Sequence, residues 1–173
     1  MGLDITAYRQ IAPDPSAALD EYGDPVDYKS RQKFWINPDF PEHAEGIDTM
    51  LAHSFAEKFD FRAGSYIGYS RWREDLAKFA GYPAVLVERW AGGMESLHAG
   101  GAWKAGEGPF YELIHFSDCE GTIGPAVSAK LLADFIAHEE RAMAVDDDWF
   151  RALYMDWKRA FALAADGGAV RFH

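Results

Sequence analysis

The sequence contains a single cysteine, Cys119, so no internal disulfide can form. A chain without disulfides is typical of a reducing compartment, which predicts a cytoplasmic protein. No apolar run is long enough to span a membrane, and no basic segment followed by an apolar stretch opens the chain. We therefore expect neither a membrane partner nor a secretory leader.

Basic residues are also few. The chain has 17 lysines and arginines against 28 acidic residues, and its formal net charge is −11. Binding to a nucleic-acid backbone requires clustered Lys and Arg, so no direct nucleic-acid partner is expected. The acidic excess favours solubility, and it also permits a basic protein partner or mimicry of a polyanion.

The chain has enough hydrophobic residues to form one core. Hydrophobic residues make up 49% of the 173 residues and aromatic residues 15%, which argues against disorder and predicts a single domain over residues 1–173. Alternating apolar and polar residues predict a strand at 3–8, and a helical stripe predicts a helix at 70–80, capped by Ser70 and ended by Gly81.

The chain is organised around residues 109–143. Residues 110–116 are rich in aromatic and β-prone side chains and predict a buried strand. A turn with two glycines follows, and Pro125 suits the first position of the helix expected after it. The acidic run 146–148 marks the start of a last helix. Its apolar stripe is Phe150, Leu153, Tyr154, Trp157, Phe161 and Ala164.

The remaining elements are shorter. Strands are predicted at 33–36, 84–90 and 169–172, a helix at about 48–58, and a flexible connection or wide hairpin at 91–108. About five strands and about three helices predict an α+β fold. In this fold a mixed or antiparallel sheet carries the helices on one face.

Residues 62–73 concentrate arginine and aromatic side chains, and we predict that this segment is a loop leading into a helix. Arginine beside aromatic rings can stack on a nucleobase and hold a phosphate. Arg71 and Arg73 leave a helix in different directions, so at most one of them should face the ligand. The predicted ligand-binding residues are Arg62, Tyr66, Tyr69, Arg71, Arg73, Asp118 and Thr122. The alternative is that Trp72 packs in the core while the arginines are solvated.

The turn at 117–125 permits other chemistry. His115, Asp118, Cys119 and Glu120 offer metal-ligand atoms, but no second His or Cys pair has ligand spacing, and the acids disfavour a thiolate at Cys119. The helix start after the glycines permits anion binding, yet no basic residue and no phosphate-loop motif accompanies it. We therefore predict no metal and no cofactor. The turn either contacts a ligand or has a purely structural role.

Four blocks resemble a family of short phage- and prophage-encoded proteins with no established activity. They are MGLDITAY at 1–8, RAGSY at 62–66 with the Trp-Arg pair at 72–73, FSDCEGTIGP at 116–125, and AADGGAV at 164–170. The blocks span nearly the whole chain. The resemblance implies an origin in phage biology and no particular chemistry.

Three functions remain open. The first is a non-enzymatic phage accessory protein that binds and sequesters a nucleotide-like small molecule to counter host defence. The second is an acidic inhibitor that mimics phosphates towards a nucleic-acid-binding host protein, and the third is a small metal-dependent hydrolase. A closed aromatic pocket with arginine would favour the first function, and a homo-oligomer is compatible with all three.

Overall fold

A computed structural model describes residues 2–88, 92–116 and 121–173. In these residues it forms an α+β fold with nine strands, five α-helices and a short 3-10 helix at Pro41–Ala44. The strands are β1 (Gly2–Arg9), β2 (Ala12–Asp14), β3 (Arg31–Lys33), β4 (Ala52–Ser54), β5 (Glu57–Ser65), β6 (Val85–Glu88), β7 (Met94–Leu97), β8 (Gly121–Ile123) and β9 (Ala169–Phe172). The helices are α1 (Tyr66–Ala80), α2 (His98–Ala105), α3 (Tyr111–His115), α4 (Pro125–Met143) and α5 (Asp148–Ala165).

The main sheet is antiparallel and has the strand order β5-β1-β9-β8. The predicted strands at 3–8 and 169–172 are confirmed as β1 and β9, which lie side by side at its centre. Leu3, Ile5 and Ala7 of β1 are all buried in the main core. Because side chains alternate along a strand, this places Thr6 and Tyr8 on the opposite face.

The helices cover one face of this sheet, as predicted. Helix α5 packs against β1, β5 and β9, and every apolar residue of its predicted stripe is buried. Asp147 caps its N-terminus, since the side chain accepts a hydrogen bond from the Phe150 amide at 3.0 Å. No helix in the described part of the chain is long and apolar enough to cross a membrane.

Trp157 lies at the centre of the main core. Its ring stacks on Trp72 at a centroid distance of 5.9 Å, meets Phe61 edge-on at 5.0 Å and packs on Phe172 at 5.5 Å. These contacts join α5 to α1, β5 and β9. The side chain therefore links the helical layer to three parts of the fold at once.

The second face of the main sheet is partly covered by a small sheet of order β2-β4-β3. A second, smaller core lies between them and includes Tyr8, Phe34, Ile47 and Ala169. The helix predicted at 48–58 is wrong, because residues in this range form β4 and begin β5. Ile47 and Phe55 pack in the second core, whereas Phe59 packs against the main core, so these apolar residues form no single helical face.

The strand predicted at 110–116 is also wrong, since Tyr111–His115 form the short helix α3. Phe110 precedes the helix with a left-handed φ of 58°, and its amide donates to the Asp134 carboxylate at 2.8 Å. Leu113 and Ile114 are nonetheless fully buried. The run is apolar because helices surround it, and burial of this kind leaves the same pattern as a buried strand.

Two smaller differences concern element bounds. The third strand ends at Lys33, before the apolar residues predicted to form it. Helix α1 begins four residues early and is capped by Ser65, whose hydroxyl accepts from the Gly68 amide at 3.0 Å. Gly81 ends it in the left-handed region, as predicted. The strand predicted at 84–90 is confirmed over Val85–Glu88 as β6, which pairs with β7, and residues 89–91 lie outside the described residues. The flexible connection or wide hairpin predicted at 91–108 is only partly right, because His98–Ala105 form the helix α2.

Replacing Trp157 by Ala should lower the free energy of unfolding by about 3–5 kcal/mol, because a fully buried indole would leave a cavity. The measurement is denaturant unfolding followed by circular dichroism. The matched control is Met155→Ala on the same helix, where the side chain is 41% exposed and the loss should stay under about 1 kcal/mol. Equal losses in the two variants would contradict the assigned buried face.

Candidate functional site

A row of polar side chains crosses the face of the main sheet that α5 does not cover. Asp60 in β5 pairs with Thr6 in β1, Thr6 with Arg171 in β9, and Arg171 with Thr122 in β8. Residues directly opposite each other in antiparallel strands point to the same face. We call Asp60, Thr6, Arg171 and Thr122 the polar row.

A chain of hydrogen bonds orders one end of the polar row. The Thr6 hydroxyl donates to Asp60 Oδ1 at 2.8 Å, and His173 Nε2 lies 2.9 Å from Thr6 Oγ1. Because the single hydroxyl proton goes to the carboxylate, Thr6 Oγ1 must accept from an Nε2–H of His173. A cavity of about 330 Å³ opens here, which we call the Asp60 pocket. It is lined by Asp4, Ile5, Thr6, Asp60, Phe61 and His173.

An aromatic cleft lies beside Arg171. The guanidinium carbon of Arg171 is 4.3 Å from the centre of the Trp35 ring, and Arg171 Nε is buried without a hydrogen-bond partner in the described part of the protein. Tyr28 is 72% exposed and Trp35 is 37% exposed. The cleft measures about 220 Å³, and we call it the Trp35 cleft. Its lining residues are Asp24, Pro25, Tyr28, Arg31, Gln32, Trp35 and Arg171.

The second arginine of the Trp35 cleft is already paired. Arg31 Nε donates to Asp14 at 2.7 Å and its Nη1 to Asp27 at 3.2 Å. Hydrogen bonds from Ser16 and from Arg31 lower the pKa of Asp14, which keeps this carboxylate ionised. Arg171 lies beside the Tyr8 hydroxyl but makes no ion pair with any described residue, so it is the cation of the cleft whose charge no described carboxylate matches.

The segment 62–73 is organised differently from the predicted loop. Arg62 lies exposed on β5 with its guanidinium over Gly2, Arg71 is exposed on α1, and Tyr66 is half-buried against the main core. Tyr69 and Arg73 point into the protein. The structure therefore does not gather the five predicted residues of this segment, although Arg71 and Arg73 do leave the helix in different directions as expected.

Tyr69 and Arg73 hold the end of α3. The Tyr69 hydroxyl donates to the Phe116 carbonyl at 3.1 Å, and Arg73 Nη1 donates to the Ile114 carbonyl at 2.9 Å. Arg73 is only 6% exposed, and its guanidinium lies 4.9 Å from the centre of the Tyr69 ring. Carbonyls at a helix C-terminus lack partners within the helix, so these two side chains supply the missing donors.

The structure describes the glycine turn from Gly121 onward. Asp118, predicted as a ligand-binding residue, lies outside the described residues, as do Cys119 and Glu120. Thr122 is 1% exposed, and its hydroxyl has no hydrogen-bond partner in the described part of the chain. Among the described residues, no three His, Cys, Asp or Glu side chains are grouped so that they could hold a metal ion.

Two histidines lie beside this turn. The His43 ring stacks on Phe40 at 5.2 Å, and the His115 ring meets Phe40 edge-on at 5.0 Å. Burial lowers the pKa of both histidines from the usual 6.5. They are therefore held neutral in the folded protein near neutral pH.

Sequence reasoning predicted none of the residues that line the two cavities as ligand-binding residues, and of the polar row it predicted Thr122 alone. Trp35 and Arg171 are separated by more than a hundred positions and meet only because β9 pairs with β1 beneath the small sheet. The alternation at 3–8 predicts that Thr6 is a polar position of a strand, and this is the one sequence signal for the polar row. The residues near Thr6 in the sequence do not indicate that Asp60 and His173 are its hydrogen-bond partners.

Comparison of the chain with protein-family models, with curated proteins and with solved structures finds no match. The resemblance to phage-encoded proteins thus stays a prediction. The function has to be argued from the geometry of the polar row and its two cavities.

Arg73→Met should lower the free energy of unfolding by about 1.5–3 kcal/mol, because buried carbonyls at the end of α3 lose a charged donor. The matched control is Arg71→Met, which removes an exposed arginine two residues away and should change stability by less than about 0.5 kcal/mol. Denaturant unfolding measures both variants. A neutral Arg73→Met would show that the hydrogen bonds to α3 do not stabilise the fold.

His43 should make the protein less stable in mild acid. Its folded-state pKa lies below 6.5, so the unfolded chain binds the proton more readily and stability falls as the pH drops through about 6.5. His43→Phe keeps an aromatic ring against Phe40 and removes this titration. The charged and titratable neighbours of His43 are Glu42, Glu112 and His115, and all three are present in both proteins. The drop in stability between pH 7 and pH 5.5 should therefore be smaller in the variant, and an unchanged drop would contradict the assignment.

Proposed function

We propose that the protein is a non-enzymatic binding protein that takes a nucleotide-like small molecule into the Trp35 cleft. By sequestering this molecule it would blunt a host defence signal. The observation that carries the proposal is the stacked pair of Arg171 and Trp35 at the wall of an open cleft. An aromatic surface beside an unpaired cation suits a flat, anionic ligand.

The charge of the protein supports a local arginine as the recognition element. A net charge of −11 repels anions at long range, so an anionic ligand needs a cation at the point of contact. Arg171 forms no ion pair with a described residue, so no carboxylate of the described chain neutralises its guanidinium charge at the cleft. Arg31 positions the cleft wall through its two carboxylate partners.

The size of the cleft limits what it holds. A volume of about 220 Å³ is below the roughly 300–1,000 Å³ of pockets that enclose a drug-sized ligand. A nucleobase fits against Trp35 and Tyr28, while the rest of a nucleotide would extend over the polar row. This arrangement favours a ligand held at one end and partly exposed.

The lining of the cleft favours binding over catalysis. None of its described lining residues is a serine, threonine, cysteine or histidine, and Asp24 and Tyr28 are the only uncharged or acidic side chains among them that could serve as a base or nucleophile. The acidic run at 146–148 is partly engaged in its own helix, where Asp147 caps α5 and Asp148 pairs with Arg151. Among the described residues, no feature comparable to the pair of Arg171 and Trp35 therefore favours phosphate mimicry. The predicted origin in phage biology supports sequestration as the biological role.

The test is titration calorimetry with the ribonucleoside monophosphates AMP, GMP, CMP and UMP. We expect Trp35→Ala to weaken the binding of at least one of them by about tenfold or more, since stacking contributes about 1–3 kcal/mol per base. Arg171→Gln should weaken the same nucleotide. The matched control is Trp103→Ala, because Trp103 is 38% exposed and lies far along the chain in α2.

Two results would overturn the proposal. One is no binding of any of the four nucleotides together with no copurifying small molecule in native mass spectra of protein from phage-challenged cells. The other is binding that Arg62→Ala and Tyr66→Ala abolish while Trp35→Ala leaves it unchanged. This second result would place the ligand on the segment first predicted from the sequence.

A further inference from the structure

We infer that the ligand carries a pair of neighbouring hydroxyl groups, as ribose does, and that this diol binds in the Asp60 pocket. The inference rests on the proposed function and extends it to a ligand class, ribonucleotides as distinct from deoxyribonucleotides. It starts from the position of the Asp60 pocket beside the Trp35 cleft on a single face of the main sheet.

The two cavities are close enough for one small molecule. Thr6 lines the Asp60 pocket, Arg171 lines the Trp35 cleft, and these two residues are direct partners across neighbouring strands. Neighbouring strands lie about 4.8 Å apart. That spacing is of the order of the distance between a nucleobase and the far edge of its sugar, so a ligand with its base at Trp35 places its sugar over Thr6.

The Asp60 pocket offers acceptors in a fixed orientation. Thr6 donates to Asp60 Oδ1 and in turn accepts from His173, so the carboxylate is held at one angle. Its other neighbour, Lys58, lies 3.2 Å from Oδ2 in a pair whose side chains are about half exposed. Such an exposed pair contributes little, which leaves the carboxylate available to a ligand. Two adjacent hydroxyls can both donate to one carboxylate.

The charges of the two cavities orient the ligand. Asp4 and Asp60 place carboxylates at one end of the face, where Lys58 pairs with Asp60 and Arg62 is the cross-strand partner of Asp4, and Arg171 lies at the other end. Arg171 therefore attracts a phosphate to its own end of the face, whereas hydroxyl donors are favoured beside the Asp60 carboxylate.

The experiment compares AMP with 2′,3′-dideoxyadenosine 5′-monophosphate by titration calorimetry on the full chain. We expect AMP to bind at least about tenfold more tightly, because the dideoxy probe lacks both hydroxyl donors to the carboxylate. Asp60→Asn should weaken AMP and remove most of this preference while leaving the affinity for the dideoxy probe within about twofold. An asparagine oxygen still accepts from Thr6, so the fold should be kept.

The control is Glu57→Gln, a carboxylate on the same strand that pairs with Arg9 outside the pocket. It should leave the preference for AMP unchanged. If AMP and the dideoxy probe bind equally while Trp35→Ala weakens both, the diol inference fails and the proposed function stands. If neither probe binds and no other nucleotide does, the proposed function fails and this inference with it.

Discussion

The packing of α5 on the central strands of the main sheet is the constraint on which the rest of the structure depends. Trp157 and the rest of the buried stripe seal one face of β1 and β9. Since side chains alternate along a strand, sealing Ile5 and Ala7 on that face leaves Thr6 on the other. The polar row is thus a consequence of the same packing that forms the core.

The segment between β1 and β5 makes that polar face a candidate site. The small sheet buries Tyr8 and Phe34 in a second core, which anchors this segment and brings Trp35 over Arg171. Covering part of a polar face raises the strength of the interactions that remain there, because water is displaced. In the proposed function, Arg171 attracts an anion to a protein whose net charge is strongly negative.

Arginine and tyrosine in 62–73 show why composition is a weak guide to a binding surface. The same residue types that stack on bases also satisfy carbonyls in a helical layer, and Tyr69 and Arg73 do the latter for α3. The apolar run at 110–116 misled for a related reason. Burial on several sides erases the periodicity that distinguishes a strand from a helix. The hydrogen-bond donors that hold the end of α3 also come from a distant part of the chain, Tyr69 and Arg73.

The sequence by itself determined the α+β class, the alternating strand β1, the terminal strand β9 and the stripe of α5, because periodicity and helix caps are local properties. It also indicated Pro125 and Gly81 as helix bounds. Only the tertiary structure decided which strands are neighbours, and so placed Asp60, Thr6 and Arg171 in one row. Strand order depends on which faces can be buried together, and no local pattern of residues records that.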